Sequence, residues 1–396
     1  MAFRRPAALC AALAALALAT APVSAEEPAP RASLIDDATR QAIEQGLRFL
    51  VRTQRPDGSW LSDAGHKVND DYVVQRADVP HVGVTALSIL AFLAAGHVPG
   101  RGPYGAVVDR AVDFLLRSVR DVDGYVTANE TRMYEHAFAT LALAEVYGMS
   151  RAPELRQKLQ AAVQFTVRSQ NTTGGWRYQP FTVDSDMSVT VCQVVALRAA
   201  RNVGLKVPQS TIDRALRYVI ESAITDRDQD EQGGFYYQPI TTNFNRSSFS
   251  LAAAGLTTLF QAGLYDDGSL RAYVRRMRIP KDPVPRIADT VEYMRSRYDE
   301  LRAFHSNHYY WYYGNYYAAQ AMYTVGGTDP RTWEDWYDRV RRDLLSMQRT
   351  QPSAGSPGQV ESYWHSNVGV SSHTFATSVA LLILSMPFDY LPIHQR

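Results

Sequence analysis

Cysteine is nearly absent from this chain: two in 396 residues, at positions 10 and 192. Two thiols build neither a disulfide framework nor a thiolate zinc site. Net charge is equally scarce, since 41 basic and 40 acidic residues leave +1. Nucleic-acid proteins show a basic surplus or stripe, so no nucleic-acid partner is expected. Beyond residue 21 no apolar run is long enough to span a bilayer. Apolar residues at 46% and charged residues at 20% exclude a disordered chain. What the chain has in excess is tyrosine, 23 against 14 Phe and 6 Trp. Tyrosine lines surfaces that must be apolar and wet together.

Arg4 and Arg5 precede an apolar Ala/Leu run from Ala7 to Ala21, and Val23-Ser24-Ala25 follows as a small-residue cleavage pattern. This is the layout of a secretory signal peptide, residues 1–25, cleaved after Ala25. Lipidation at Cys10 is disfavoured because Leu9 before it is too large. Cleavage removes Cys10 and leaves a short disordered tail (26–33) and one domain (34–396). The mature protein is expected outside the cytoplasm, periplasmic or extracellular, without a transmembrane segment.

Four segments align: GLRFLVRTQ (46–54), AVDFLLRSV (111–119), AVQFTVRSQ (162–170) and ALRYVIESA (215–223). Apolar residues three and four apart make each an amphipathic helix with one sticky stripe. A glycine turn and an aromatic follow: Gly58-Ser59-Trp60, Gly124-Tyr125, Gly174-Gly175-Trp176 and, after a charged loop, Gly233-Gly234-Phe235. Next come helices apolar nearly all round, 82–96, 133–148, 188–204 and 248–263, each ending in a glycine suited to a left-handed C-cap. Two further pairs, 284–303 with 308–326 and 331–349 with 369–386, bring the count to six. A repeat near 60 residues, alternating amphipathic and all-round-apolar helices, predicts an all-α (α/α)6 toroid with an apolar inner ring. An open solenoid is the structural rival. Strands are needed nowhere. In the toroid the inner-helix N-termini gather at one mouth, where polar residues are candidates for a site.

The turns QRPDGSW (54–60) and QNTTGGWRY (170–178) resemble the QW-type repeats of the prenyltransferase and squalene-cyclase superfamily. GGWRYQPFTVDSDMSVTVCQVVAL (174–197) resembles the class II terpene cyclase stretch in which a Gly-Gly-Trp turn precedes an Asp-x-Asp-Asp-Thr-Ala motif. The resemblance implies an α/α toroid with an aromatic-lined cavity for an isoprenoid. It further implies Asp186, at the motif's middle aspartate, as the proton donor, with Asp184 at the first. The fourth position departs, as Met187 followed by Ser188. The chemistry suits such a pair, because two carboxylates this close share a proton and one stays neutral. The same residues also read as an ordinary helix opening, with Asp184 or Ser185 as N-cap and Asp186 adding charge to the first turn. The ligand pair of a zinc prenyltransferase is missing, because no Asp precedes Cys192 by two residues; no motif calls for a cofactor.

From His308 to Tyr317 seven of ten residues are aromatic. Tyr309, Trp311, Tyr312, Tyr313 and Tyr316 are therefore candidates for a cavity wall, with an aromatic core seam as the alternative. Such a wall suits a small hydrophobic ligand through cation stabilisation, and suits a carbohydrate through stacking and hydroxyl contacts. Trp176, His136, Arg246, His308 and His373 join the candidate ligand-binding set, and His81, Asn243, Asn245, His305 and His365 stand at other inner-helix starts. A lyase needs a cation for a uronate carboxylate, a base and a phenol; a glycosidase needs a carboxylate pair, for which Glu130, Glu135 and Glu361 are possible partners of Asp184 or Asp186. Three readings follow: an exported isoprenoid-binding or cyclising toroid, a non-catalytic envelope toroid, or a polysaccharide lyase or glycosidase.

Overall fold

The computed structural model describes residues 31–395 except 69–70, 151, 227–229, 240–246, 306–307, 355–357 and 367–372. The expected leader and most of the expected tail lie outside the described residues. The tail's last residues are part of a 3-10 turn at Arg31–Leu34, and Leu34 packs on the core.

Six helices carry one apolar stripe and stand outside: α1 (Asp37–Thr53), α3 (Gly105–Ser118), α5 (Pro153–Ser169), α7 (Gln209–Ser222), α10 (Ile287–His305) and α12 (Pro330–Met347). In α3 the stripe is Val107, Val108, Ala111, Val112, Phe114 and Leu115, all buried. Six more stand inside: α2 (Val82–Ala94), α4 (Met133–Ser150), α6 (Met187–Asn202), α8 (Phe249–Gln261), α11 (Tyr309–Val325) and α13 (His373–Leu384). Every residue of α2 is buried, as an all-round-apolar helix requires. The inner helices touch in the order α2, α4, α6, α8, α11, α13 and back to α2, so the ring closes and the fold is an α/α toroid. A short extra helix, α9 (Asp267–Met277), lies between α8 and α10.

The repeated turn is a joint between neighbouring units. Trp60, Trp176 and Trp364 are fully buried. Each indole N–H donates back to a carbonyl near the end of the preceding outer helix: Leu50 at 2.8 Å, Thr166 at 2.9 Å and Leu344 at 2.8 Å. Their backbone N–H groups donate to Thr85, Thr190 and Thr377 on the inner helix that follows. The side-chain amide of Gln54 donates to Gly58 O and across to Val107 O; that of Gln170 donates to Gly174 O and Thr211 O. Gly174 holds φ +97°, and a Cβ there would lie 2.4 Å from Arg214 O on the next outer helix. The turn needs glycine for both conformation and close approach. Gln, Gly and Trp thus stitch one helix pair to the next.

Two expectations change. Strands are present: β1 (Leu61–Val68) pairs antiparallel with β2 (Asp71–Pro80), and β3 (Arg349–Pro352) with β4 (Val360–Tyr363). Each hairpin is inserted between an outer helix and the inner helix after it. Two-stranded hairpins depend on cross-strand bonds and on docking to neighbours, so they leave little hydrophobic period to read. The glycine ends hold at Gly96, Gly204 and Gly263, all at positive φ, whereas α4 runs past Gly148 to Ser150. At the far end of the ring the C-terminal turn Pro392–His394 packs under α6 and α11, with Ile393 and His394 buried.

Candidate functional site

A cavity of about 320 Å³ opens where the N-terminal ends of the inner helices converge. All six contribute: His81, the N-cap of α2, with Val84; Tyr134, Glu135 and Phe138 of α4; Ser188 of α6; Ser248, the N-cap of α8, with Leu251; Tyr309, Tyr310 and Tyr313 of α11; and Phe375 of α13. The first hairpin adds His66 and Tyr72, and the turns add Arg132, Tyr178 and Tyr237. The wall is aromatic, but its aromatics are mostly tyrosines, interspersed with serine, histidine, arginine and a carboxylate.

His81 and Glu135 face each other on this wall. His81 Nδ1 accepts the Val84 backbone N–H at 3.2 Å, capping α2. That bond leaves the proton of the neutral ring on Nε2. Nε2 is buried, hydrogen-bonded to nothing, and 3.8 Å from Glu135 Oε1. Burial pushes the His81 pKa down, against the pull of Glu135, so the ring is a neutral donor at pH 7. Glu135 Oε2 accepts the Arg132 backbone N–H at 2.7 Å, which fixes the carboxylate at the start of α4. Gly83 permits the approach, because a Cβ there would lie 2.8 Å from Glu135 Cγ.

The Asp-x-Asp motif lies behind the wall. Asp186 is fully buried and is the N-cap of α6: its Oδ1 accepts from Val189 N at 2.8 Å and Ser188 Oγ at 2.6 Å. Its Oδ2 accepts from Arg177 Nη1 at 2.8 Å, while Arg177 Nε pairs with the half-exposed Asp184 at 3.2 Å. Burial raises the Asp186 pKa, opposed by Arg177 and the two hydrogen bonds. Both oxygens are occupied, and neither aspartate lines the cavity. The cluster instead holds the tyrosine wall in place. Arg177 also donates to Tyr237 Oη at 2.8 Å, Tyr237 and Tyr178 share a 2.6 Å hydroxyl contact, and Ser188 Oγ receives the Tyr134 hydroxyl at 2.5 Å.

Of the remaining expected site residues, Tyr309 and Tyr313 line the cavity. Trp311, Tyr312 and Tyr316 do not: they are buried between helices, as the core-seam alternative has it, because a helix this aromatic must turn rings both inward and outward. Trp176 is the joint residue described above, held in the core by its indole bond. His136 is buried behind α4, where Nδ1 accepts from Val126 N and Nε2 meets Thr166 Oγ1 at 2.9 Å; burial lowers its pKa to about 3. His308 caps α11 through the Tyr310 N–H at 3.1 Å. His373 stands at the exposed rim, its Nδ1 2.9 Å from that of His365. Arg246, with Asn243 and Asn245, lies outside the described residues. The wall residues Arg132, Tyr134, Tyr178, Tyr237 and Tyr72 were not anticipated; the Arg-x-Tyr-Glu run opening α4 was the one signal available. Among the described residues no group of three or more His, Cys, Asp or Glu is placed to hold a metal ion, and no helix is long and apolar enough to cross a membrane.

No protein-family model matches the sequence, and no curated protein matches it. Solved structures do match in fold. A cellobiose 2-epimerase from Bacillus thermoamylovorans superposes with a TM-score of 0.57 at 13% identity, over 88% of this chain and 98% of its own. A second cellobiose 2-epimerase, from Spirochaeta thermophila, gives 0.56 at 15%, over 91% and 96%. An inactive double-aspartate variant of an α-1,6-mannanase of glycoside hydrolase family 76, from a Salegentibacter species and in complex with α-1,6-mannotriose, gives 0.56 at 8%, over 89% and 99%. At these identities the likeness shows the fold, an α/α toroid shared with sugar-acting enzymes. These neighbours are not terpene cyclases.

Proposed function

We propose that this chain is an exported carbohydrate-active toroid, in which the central cavity binds a glycan and the His81–Glu135 pair moves a proton at the bound sugar. One observation carries the reading: Glu135 is the only carboxylate on the described cavity wall, and it faces the unpartnered N–H of a neutral histidine 3.8 Å away. Glu135 Oε1 accepts the proton, and His81 Nε2–H donates a hydrogen bond to the oxygen on which negative charge develops. A glycosidase of either stereochemistry works with two carboxylates flanking the bond. One carboxylate paired with an imidazole suits abstraction of a carbon-bound proton, as in elimination or epimerisation.

The wall supports a sugar ligand over a polyprene. Tyrosine faces pack against pyranose rings while their hydroxyls, with Ser188 and Ser248, meet sugar hydroxyls. The structural neighbours include an α-1,6-mannanase in complex with α-1,6-mannotriose and two cellobiose 2-epimerases, and the leader would deliver the chain to where polysaccharides are met. An isoprenoid reading needs a neutral acid facing the cavity, and Asp186 is committed to the α6 cap and to Arg177. The test is binding of the mature protein to oligosaccharide and polyprenyl panels by calorimetry. Binding confined to oligosaccharides is expected; binding confined to polyprenes overturns the proposal.

A further inference from the structure

Resting on the glycan reading, we infer that the ligand is an acidic glycan and that Arg132 receives a sugar carboxylate. Arg132 is the only Arg or Lys on the described cavity wall. The neighbouring guanidinium groups have carboxylate partners: Arg177 has Asp184 and Asp186, and Arg76 has Glu130. Arg132 pairs with no carboxylate among the described residues. Its Nη2 is held by Gln75 Oε1 at 2.8 Å and His66 Nδ1 at 3.2 Å, which orients the fork, and its Nε is buried with no hydrogen-bond partner. A half-buried guanidinium on the cavity wall, fixed in place and without a carboxylate partner of its own, fits an anionic group on the ligand.

Position adds to the argument. Arg132 is also a wall of a second, surface groove of about 540 Å³, whose sides include Arg120, Tyr125, Asn129 and Gln179. It therefore lines both the groove and the central cavity, and a polymer held at Arg132 has room for flanking sugar units in the groove. Glu135 is on the same turn as Arg132, bonded to its backbone N–H. A carboxylate neutralised at Arg132 acidifies the hydrogen on the adjacent sugar carbon, the proton a base beside it would take.

The test compares oligohexuronates of several sugar types with the same chains after carboxyl reduction, using calorimetry on the full mature protein. At least one acidic oligosaccharide is expected to bind tenfold or more tighter than its reduced form, with affinity falling as salt rises. Arg132→Met should bring the two forms within about twofold, while Arg132→Lys keeps part of the preference. Equal binding of acidic and reduced chains by the wild type, or undiminished preference in Arg132→Met, overturns the assignment to Arg132 and leaves the glycan reading standing. Binding of neither form, in a panel that includes neutral glycans, overturns both.

Discussion

Arg177 Nη1 lies 2.8 Å from Asp186 Oδ2, and the same guanidinium donates to the Tyr237 hydroxyl on the cavity wall. The ion pair joins a helix cap to a ligand surface, so it is a positioning device. Asp186→Ala leaves a largely buried guanidinium without its inner partner, and a loss on the order of 3 kcal/mol is expected. A urea midpoint shift measures it. Turnover lost from Asp186→Asn at unchanged stability would instead make Asp186 the acid.

The glycine turns make a sharper comparison. Gly204 and Gly174 both sit at positive φ, at +85° and +97°. A Cβ at Gly204 meets nothing within 4 Å, so Gly204→Ala should cost about 1 kcal/mol of left-handed strain. Gly174→Ala adds a collision with the Arg214 carbonyl, worth a further ~1–3 kcal/mol. Thermal unfolding of the two variants side by side should separate them in that order.

The joint tryptophans predict a smaller effect. Trp176→Phe keeps most of the buried ring and deletes the N–H bond to Thr166 O, for a loss of about 1 kcal/mol. The same change at Trp60 or Trp364 should give a similar figure, because the three bonds are equivalent. Denaturant titration of the three single variants checks this.

Two buried groups should make stability pH-dependent, in opposite directions. His136 titrates near 3 in the fold and near 6.5 unfolded. The unfolded chain therefore binds the extra proton as pH drops from about 6.5 toward 3, and stability is lost over that window. Glu145, buried at the lower end of α4 beside Ile393 N, is pushed up to about 8. The folded chain keeps a proton the unfolded chain has released, so stability is lost as pH rises from about 4.5 to 8. Glu145→Gln should remove the loss that accompanies a rise from about pH 4.5 to 8 and leave the loss on acidification in place.

The ring was legible because its signal is periodic. Alternating amphipathic and all-apolar helices repeat near every 60 residues, and a glycine turn followed by an aromatic marks the first four pairs. The hairpin 61–80 was not, since exposed Val73 and Val74 break the rule that apolar residues point inward. At the site, the position of the mouth followed from the helix order, and Tyr309 and Tyr313 reach it. The Asp-x-Asp motif pointed at the right helix but at its rear layer, because a capping aspartate and a catalytic one share the same local pattern. Glu135 and His81 are 54 positions apart and carry no joint signature. Packing of the neighbouring inner helices α2 and α4, with Gly83 allowing the close approach, brings them together.

The most direct test of the proton-transfer pair is turnover of a polysaccharide library in deuterated water, read by mass spectrometry and NMR of the products. The wild type should introduce deuterium or a double bond into one glycan class, and Glu135→Gln should bind that glycan with turnover reduced by about 10²-fold or more. Full activity in Glu135→Gln, or cleavage that leaves every sugar carbon untouched, would contradict the account.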